Sequence, residues 1–459
     1  MNFGTNILKY IEDIFNDLKT LLEIKSVSSD GRENCEKALE FILRRAEELG
    51  LVTKNIQNKA GHVQLGDSGI LCGALTHLDV VPAGKNWSVE PFTLTRQNGR
   101  LYGRGIDDDK GASIINLYCL KALKDSGVEG KNTLRCIYGT DEEVGMSDMV
   151  TYFENEPLPE ISFTPDSDYG ICFAEKGILQ LKISMDRNDG TTLSAVKAGN
   201  AINAVPDEAK ALLYFSDADT NNLKKNSKKY KGNFNFVDTI DGLVIESFGK
   251  AAHACEPEKG FNAAQALMEL LNGELGDDEV GSLCSFIGFA LRDETDGTSL
   301  GLRMRDFVSG DLSCNLSKIR LNDSKAYLTL DIRYPVTMNG EKILKQVEKS
   351  AAINELKVEI IHHAPPLYLS KESPVIELLS EAYEDIMGEK PELYATGGGT
   401  YARMLGGKGV AFGPAFKDDN VNMHNADESV DEEKFFKHAQ ICLQAMYKMY
   451  TWDFGETGK

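Results

Sequence analysis

The sequence predicts an α/β fold in which a mostly parallel sheet has helices on both faces and a smaller α+β domain is inserted into the chain. Short, almost continuously apolar runs separated by helical stretches occur in the first part of the sequence, as in parallel sheets that are covered on both faces. The middle of the chain instead alternates apolar and polar residues, as half-buried antiparallel strands do. With 459 residues, the chain is long enough for two or three domains of roughly 150 residues each.

The elements of the parallel part follow from the spacing of apolar residues. Residues 1–25 and 33–49 have the pattern of amphipathic helices, and Gly50 is expected to end the second one. Another helical stretch covers residues 112–123. The predicted strands are residues 70–75, 134–138, 161–163 and 410–412.

The middle region is predicted to form the inserted domain. Residues 242–248 and 326–333 read as antiparallel strands, and residues 261–271 and 341–352 have helical spacing. We therefore predict a discontinuous first domain of residues 1–177 and 367–459, and an inserted α+β domain of residues 178–366.

The composition argues against two classes of partner. The formal net charge of −21 argues against nucleic acid, because polyphosphate binding needs a basic face. No apolar stretch reaches the roughly 20 residues of a membrane helix, and the N-terminus lacks the basic start and apolar block of a signal peptide. The nine cysteines are scattered without a C-x-x-C pair, which predicts buried, reduced thiols. We therefore expect a cytoplasmic protein that binds neither nucleic acid nor membrane.

Polar residues follow three of the predicted strands at the point where each strand ends. His77 and Asp79 follow the first strand, residues 141–143 (Asp-Glu-Glu) follow the second, and Asp166 follows the third. The carboxyl ends of parallel strands meet at one edge of a sheet, which is where ligands bind in open α/β folds. Three further acidic residues, 107–109, lie in a glycine-flanked loop before a helix.

Each of these features alone has a simpler interpretation. A histidine after a strand is more often a hydrogen-bonded structural residue, and adjacent acids are usually solvated turn residues. The acids at 107–109 could favour the N-terminus of the following helix. However, so many carboxylates at one edge would repel one another without cations, and nitrogen and oxygen donors without cysteine suit Zn, Mn or Co.

Five motifs in order carry a resemblance to a known family. They are residues 77–82 (His-Leu-Asp-Val-Val-Pro), 103–111, 141–143, 164–166 (Thr-Pro-Asp) and 423–424 (Met-His). Together they resemble the co-catalytic zinc metallopeptidases of the aminoacylase, carnosinase and glutamate carboxypeptidase group, and most closely the PepV-like dipeptidase branch. The resemblance extends through essentially the whole chain.

The resemblance implies a ligand set for two divalent metal ions per chain, with Zn expected and Mn or Co as alternatives. One ion would be bound by His77 and Asp166 and the other by Glu143 and His424, with Asp108 bridging the two. Aspartate rather than glutamate at position 166 fits the dipeptidase and aminoacylase branches.

The resemblance also implies roles for the neighbouring residues. Glu142 would be the general base, and Asp79 would orient His77 from behind. The peptide bond between Asp108 and Asp109 is expected to be cis.

The inserted domain corresponds, by the same resemblance, to a ferredoxin-like lid that binds substrate. His253 would reach the tetrahedral oxyanion, and Asn203 and Arg333 would contact the substrate, with the guanidinium suited to its free carboxylate. Thr400 and Arg403 are further candidate contacts in a glycine-rich loop. Without the family, His253 would read as a lone surface histidine and Arg333 as a surface charge at the end of a strand.

These residues predict a metal-dependent dipeptidase, which hydrolyses the peptide bond of dipeptides or short peptides by metal-bridged water attack with Glu142 as base. An N-acyl amino acid amidohydrolase shares every catalytic residue and remains the alternative within the enzyme class. A non-catalytic peptide-binding protein is the alternative outside it. Because the predicted insertion is long, we expect a monomer in which His253 acts in its own chain.

Overall fold

The computed structural model describes residues 2–214 and 217–454. The chain divides into a first unit of Met1–Ala174, Tyr368–Tyr394 and Gly399–Lys459, and a second unit of Glu175–Leu367 and Ala395–Gly398. The chain therefore leaves the first unit and returns to it, and the short segment Ala395–Gly398 groups with the second unit.

Eleven α-helices occur in the described residues. They are α1 (Ile11–Glu23), α2 (Glu33–Glu48), α3 (Lys110–Ser126), α4 (Ser147–Asn155), α5 (Asp217–Asn226), α6 (Ala263–Glu274), α7 (Asp277–Val280), α8 (Ser282–Ala290), α9 (Gly340–Ala352), α10 (Pro374–Met387) and α11 (Glu432–Thr451). The N-terminal helical pattern is not one α-helix, because Gly4–Tyr10 is a 3-10 helix that runs into α1.

The described residues also form 24 strands, several of them only two residues long. They are β1 (Val52–Ile56), β2 (Ala60–Leu65), β3 (Leu71–His77), β4 (Thr95–Gln97), β5 (Arg100–Tyr102), β6 (Thr133–Gly139), β7 (Ile161–Thr164), β8 (Ser167–Asp168), β9 (Ile171–Glu175), β10 (Gly177–Met185), β11 (Leu193–Ala198), β12 (Glu208–Leu213), β13 (Asn233–Thr239), β14 (Gly242–Phe248), β15 (Arg305–Asp306), β16 (Gly310–Asp311), β17 (Ser313–Asn322), β18 (Lys325–Tyr334), β19 (Lys357–Ala364), β20 (Leu367–Tyr368), β21 (Leu393–Thr396), β22 (Gly409–Ala411), β23 (Pro414–Ala415) and β24 (Ser429–Asp431).

The main sheet of the first unit has the strand order β1-β2-β6-β3-β7-β22-β9-β20, with β21 paired to β9. Its centre is parallel, because β3 pairs in parallel with β6 and β7, and β22 pairs in parallel with β7. The strands β1 and β2 extend it in antiparallel pairing. The predicted mostly parallel sheet is therefore confirmed, with antiparallel strands added at its edges.

Helices cover both faces of this sheet because successive side chains of a strand point in opposite directions. Cys72 of β3 faces α11, where its thiol lies 3.6 Å from the carbonyl oxygen of Met449. Leu75 of the same strand faces the other way and packs in a cluster with Met149 and Tyr152 of α4. The strands that carry the candidate site are thus fixed from both sides.

The second unit is built on an antiparallel sheet of eight strands in the order β13-β14-β12-β11-β17-β18-β10-β19. Apolar side chains from alternate positions, such as Leu179, Leu181 and Ile183 of β10, form one core with the helices α6, α8 and α9. This is the α+β arrangement that the alternating pattern predicts. Of the helices described, none has the length and apolar character needed to cross a membrane.

Candidate metal centre

Three strands bring candidate side chains to one edge of the parallel sheet. His77 is the last residue of β3, Glu142 and Glu143 follow the end of β6, and Asp166 follows the end of β7. Since β3 pairs in parallel with both β6 and β7, the carboxyl ends of the three strands meet at this edge. The edge therefore collects a histidine and three carboxylates from separate parts of the sequence.

Two further segments bring Asp108 and His424 to the same place. Asp108 lies two residues before α3, and His424 lies in the loop between β23 and β24. Oδ1 of Asp108 is 2.8 Å from Nε2 of His77, and Oδ2 of Asp108 is 2.7 Å from Nε2 of His424. Asp108 therefore contacts one histidine with each of its carboxylate oxygens.

Six of these side chains form two groups that could each hold a metal ion. The groups are His77, Glu142 and Asp166, and Asp108, Glu143 and His424. Within each group the nitrogen and oxygen donor atoms all lie within 4.8 Å of one another. All five predicted ligands thus lie at one centre, and Glu142 lies there with them.

The charges at this centre favour cations. Burial, together with the nearby Asp166, raises the pKa of Glu142 well above its usual value. Burial opposes protonation of His424, but contact with Asp108 and Glu143 raises the pKa of this histidine to about 11. Burial also opposes the charge of Asp108, yet its two histidine neighbours lower its pKa well below the usual range. The carboxylates thus need positive charge beside them, and donors of this kind fit a pair of divalent ions such as Zn²⁺, Mn²⁺ or Co²⁺.

Asp79 is buried behind His77 and has a second set of contacts that the sequence did not reveal. Nδ1 of His77 lies 2.9 Å from the backbone carbonyl oxygen of Asp79 and 3.4 Å from its carboxylate. The two carboxylate oxygens accept hydrogen bonds from the backbone N–H groups of Glu142 and Glu143, each at 3.2 Å. Asp79 therefore fixes the loop after β6 as well as contacting His77.

Asp148 fixes the same loop from another side and was missed by the sequence analysis. Its carboxylate accepts hydrogen bonds from the N–H groups of Thr140 (2.5 Å) and Asp141 (2.9 Å) and from the hydroxyl of Tyr401. Burial raises the pKa of Asp148 to about 6. The ring of Tyr401 packs edge-on against His77, with centroids 6.2 Å apart. In the sequence, Asp148 looks like any acid in the first turn of a helix.

The peptide bond between Asp108 and Asp109 is cis, as the resemblance implies. The carboxylate of Asp109 is buried and accepts a hydrogen bond from the backbone N–H of His77 at 3.1 Å. This contact joins the segment that carries Asp108 to the end of β3.

The candidate substrate contacts of the first unit lie in the segment around Thr400. Thr400 is buried, and its hydroxyl accepts a hydrogen bond from the N–H of Ala402, which caps the 3-10 helix Tyr401–Leu405. Arg403 is partly buried, in the same short helix. Their roles as substrate contacts remain predictions.

The candidate residues of the second unit lie in different environments. His253 is exposed, and its Nδ1 accepts a hydrogen bond from the N–H of Cys255 at 3.2 Å. Asn203 is exposed, and its backbone carbonyl accepts the N–H of Ala254.

Arg333 is not the surface charge that its position in the sequence suggests, because only 4% of it is exposed. Its guanidinium donates to both carboxylate oxygens of Asp331, at 2.6 and 3.0 Å, and to the carbonyl of Gly397 at 3.0 Å. Asp331 and Arg333 lie two positions apart on β18, so their side chains share one face of the strand.

Comparison with known proteins gives one family and a consistent set of relatives. The model of peptidase family M20/M25/M40 matches residues 74–448. The chain is 31% identical to a Bacillus subtilis protein named "Putative dipeptidase YtjP", over 98% of this chain and all of that protein. It is 32% identical to the Staphylococcus aureus protein "Putative dipeptidase MW1694", over 96% of this chain and 98% of the relative.

Solved structures share the fold at much lower sequence identity. Human carnosine dipeptidase 1 superposes with a TM-score of 0.63 at 15% identity, covering 98% of each chain. The dipeptidase Dug1p from Saccharomyces cerevisiae gives a TM-score of 0.63 at 16% identity, covering 98% of this chain and 99% of its own. The family match extends from β3 to α11 and thus includes every segment of the metal centre. This chain belongs to peptidase family M20/M25/M40.

Proposed function

We propose that this protein is a metal-dependent dipeptidase that hydrolyses the peptide bond of a dipeptide or short peptide. The observation that carries the proposal is the pair of donor groups at one centre, where Asp108 contacts both His77 and His424 and Glu142 belongs to the group of His77. Membership of a peptidase family and the dipeptidase names of the relatives support the choice of substrate.

His77 and Asp166 would hold one cation, Glu143 and His424 would hold the other, and Asp108 would bridge them. Nitrogen and carboxylate donors make Zn²⁺ the first candidate, with Mn²⁺ or Co²⁺ as alternatives. When bound, the cations would polarise the scissile carbonyl and supply a water of lowered pKa.

Glu142 would move the proton in this reaction. Its carboxylate would accept a proton from the attacking water as the water oxygen bonds to the carbonyl carbon. It would return that proton to the amine nitrogen as the C–N bond breaks. The hydrogen bond from the Glu142 N–H to Asp79 fixes the backbone from which this side chain extends.

Five residues are proposed to contact the substrate. Arg333 is suited to a free carboxylate because Asp331 holds its guanidinium in one orientation. His253 would donate to the oxyanion, while Asn203, Thr400 and Arg403 would contact the rest of the substrate. The second unit would then act as the lid.

The substitution Glu142→Gln tests the role of the base. Metal content per chain should stay at the wild-type value, while turnover of dipeptides should fall by roughly 10²- to 10⁴-fold because proton transfer is lost. Glu154→Gln, an exposed residue of α4, is the matched control and should leave both unchanged. Metal loss in Glu142→Gln would instead assign Glu142 as a ligand, which its place in the donor group with His77 and Asp166 allows.

Substrate class is tested by comparing dipeptides with N-acetyl amino acids of the same C-terminal residue. A dipeptidase should release the amino acid faster from the dipeptide. Faster cleavage of the acetylated substrates would identify an N-acyl amino acid amidohydrolase with the same centre. Metal binding without hydrolysis of either class would identify a peptide-binding protein.

We also propose that the enzyme is cytoplasmic and monomeric. The nine cysteines of the described residues form no disulfide bond, and eight of them are buried, which supports a reducing compartment. Light scattering at enzyme concentrations used for assay would test the oligomeric state, and a dimer would contradict the proposal.

A further inference from the structure

Glu428 is a fully buried carboxylate beneath the loop that carries Asp108. Its oxygens accept hydrogen bonds from the backbone N–H groups of Gly105 (3.0 and 3.1 Å), Asp107 (3.0 Å) and Asp108 (3.4 Å). Oε2 also accepts from Nη1 of Arg104 at 2.5 Å. One side chain thus binds three backbone N–H groups within residues 105–108, the last of them that of Asp108 itself.

Arg104 extends this contact to two other segments. Its Nη2 donates to the carbonyl of Asn425 at 3.0 Å and lies 3.4 Å from the carbonyls of Pro82 and Ala83. The guanidinium also lies over the ring of Trp87, 5.3 Å from its centroid. The pair of Arg104 and Glu428 therefore joins the segment after His77, the loop of Asp108 and the loop of His424.

The loop of His424 needs such support because its backbone is strained. His424 has φ of 61°, and Asn422 and Asp427 have φ of 54° and 57°, in the left-handed region that side chains other than glycine disfavour. The loop is held from outside: the carboxylate of Asp427 accepts from the N–H (2.7 Å) and hydroxyl (3.0 Å) of Ser88. The N–H of Gly103 donates to the carbonyl of Glu428 at 3.1 Å.

A purely stabilising role does not account for a buried ion pair of this kind. The desolvation of two charges often cancels their attraction, so that well-packed apolar residues would stabilise a fold as well. Here, however, the carboxylate and guanidinium each have several directed partners in the segments that carry His77, Asp108 and His424. This arrangement is expected of residues that hold the segments of the metal ligands in position.

We propose that Arg104 and Glu428 are positioning residues that hold Asp108 and His424 at the spacing required to bind metal. Neither belongs to the two donor groups, so they act through the backbone of the ligands. This inference rests on the proposed function, because it assumes that Asp108 and His424 bind cations.

The test is equilibrium binding of Co²⁺ to the metal-free full-length protein, measured by competition with a chromogenic chelator. Glu428→Gln keeps the size of the side chain but places an amide NH₂ against backbone and guanidinium donors. We expect the affinity for Co²⁺ to fall by roughly 10- to 100-fold, as for other changes behind metal ligands. The visible absorption of bound Co²⁺ should change as well, which a loss of stability alone would not produce.

Glu156→Gln is the matched control. Glu156 is a buried carboxylate of the same unit that accepts from Nη1 of Arg135 at 2.7 Å and pairs with Lys54, and it contacts no residue of the metal loops through these bonds. Its substitution should lower the melting temperature of the metal-free protein without changing Co²⁺ affinity or the Co²⁺ spectrum.

Each outcome has one interpretation. Wild-type affinity in Glu428→Gln, or an equal loss in Glu156→Gln, overturns the positioning role. If Glu428→Gln does not fold, Arg104→Lys decides, because lysine keeps the charge but cannot contact Glu428 and Asn425 at once; unchanged Co²⁺ affinity in this variant overturns the proposal. A wild-type protein that binds no Co²⁺ contradicts the metal centre itself, and the positioning role is overturned with it.

Discussion

The loops of the metal centre are fixed by fully buried carboxylates from other segments, whereas two of the three candidate residues of the second unit are exposed. Asp79 and Asp148 hold the loop after β6, and Glu428 holds the loop before α3. Among the candidate residues of the second unit, Arg333 is fixed in a comparable way, through Asp331. The difference teaches that the geometry for metal binding is formed within the first unit, while His253 and Asn203 of the second unit lie on an exposed surface.

This comparison predicts that changes in the second unit alter catalysis but not metal binding. The largest effect is expected for His253→Ala, because removal of one oxyanion donor typically lowers kcat by roughly 10²- to 10³-fold. Metal content should stay at the wild-type value. His362→Ala, an exposed histidine on β19, is the control and should change neither. Loss of metal in His253→Ala would contradict the prediction that changes in the second unit leave metal binding unaltered.

Arg333→Lys tests whether the guanidinium of Arg333 binds the free carboxylate of the substrate. Lysine keeps a cation beside Asp331 but loses the two-pronged geometry, so kcat/KM for dipeptides should fall by roughly 10- to 100-fold, mainly through KM. Kinetics on C-terminally amidated dipeptides provide the critical measurement. These substrates lack the free carboxylate, so they should be poor substrates for the wild type and for Arg333→Lys alike. Arg320→Lys, whose guanidinium donates to the carbonyls of Ala198 and Gly199, is the matched control. If the substitution lowers kcat/KM equally for amidated and free dipeptides, Arg333 has a structural role and does not bind the substrate carboxylate.

Protonation of His438 should weaken the first unit in acid. His438 of α11 is fully buried beside Tyr169 and Cys442, and burial lowers its pKa to about 3. Its contribution to stability is therefore present above pH 6.5, the usual value, and is lost as the pH falls from 6.5 toward 3. Histidines 253, 362 and 363 of the second unit are exposed.

Thermal or urea unfolding of the metal-free protein measures this effect. Between pH 6.5 and pH 5 the free energy of unfolding should fall by roughly 2 kcal/mol through His438, at about 1.36 kcal/mol per pH unit. His438→Gln, which does not titrate, should be less stable at neutral pH but should show a flatter pH dependence. An unchanged slope would contradict the assignment of a buried neutral imidazole.

The smallest effect is expected for Tyr401→Phe. The variant loses the hydroxyl that donates to Asp148 but keeps the ring against His77 and the two backbone N–H donors to the same carboxylate. The free energy of unfolding should fall by about 1 kcal/mol, the usual value of one hydrogen bond, with metal content unchanged. Chemical unfolding provides the measurement, and a loss of metal would show that the support from Asp148 is more important than this account allows.

Much of the centre could be predicted from the sequence because its residues follow local rules. His77, Glu143 and Asp166 stand at the ends of apolar strands or a few residues beyond them, and the parallel order of such strands places them at one edge. The antiparallel second unit was likewise predictable from alternation, as in β14 and β18.

The residues that support the centre could not be predicted because their partners are distant in sequence. Glu428 lies more than 300 positions from the backbone groups it binds, and no spacing links it to Gly105 or Asp108. The burial of Arg333 could have been inferred, since Asp331 stands two positions before it on the same face of a strand. The 3-10 helix at Gly4–Tyr10 was missed because its apolar spacing also suits an α-helix.

The central claim is that Asp108, which contacts both His77 and His424, would bridge two bound cations, and a titration of metal-free protein with Co²⁺ tests it most directly. The wild-type chain should bind two ions, Asp108→Asn should weaken both sites, and His77→Gln should weaken one. A wild-type stoichiometry below two, or an Asp108→Asn variant that loses only one site, would contradict the account.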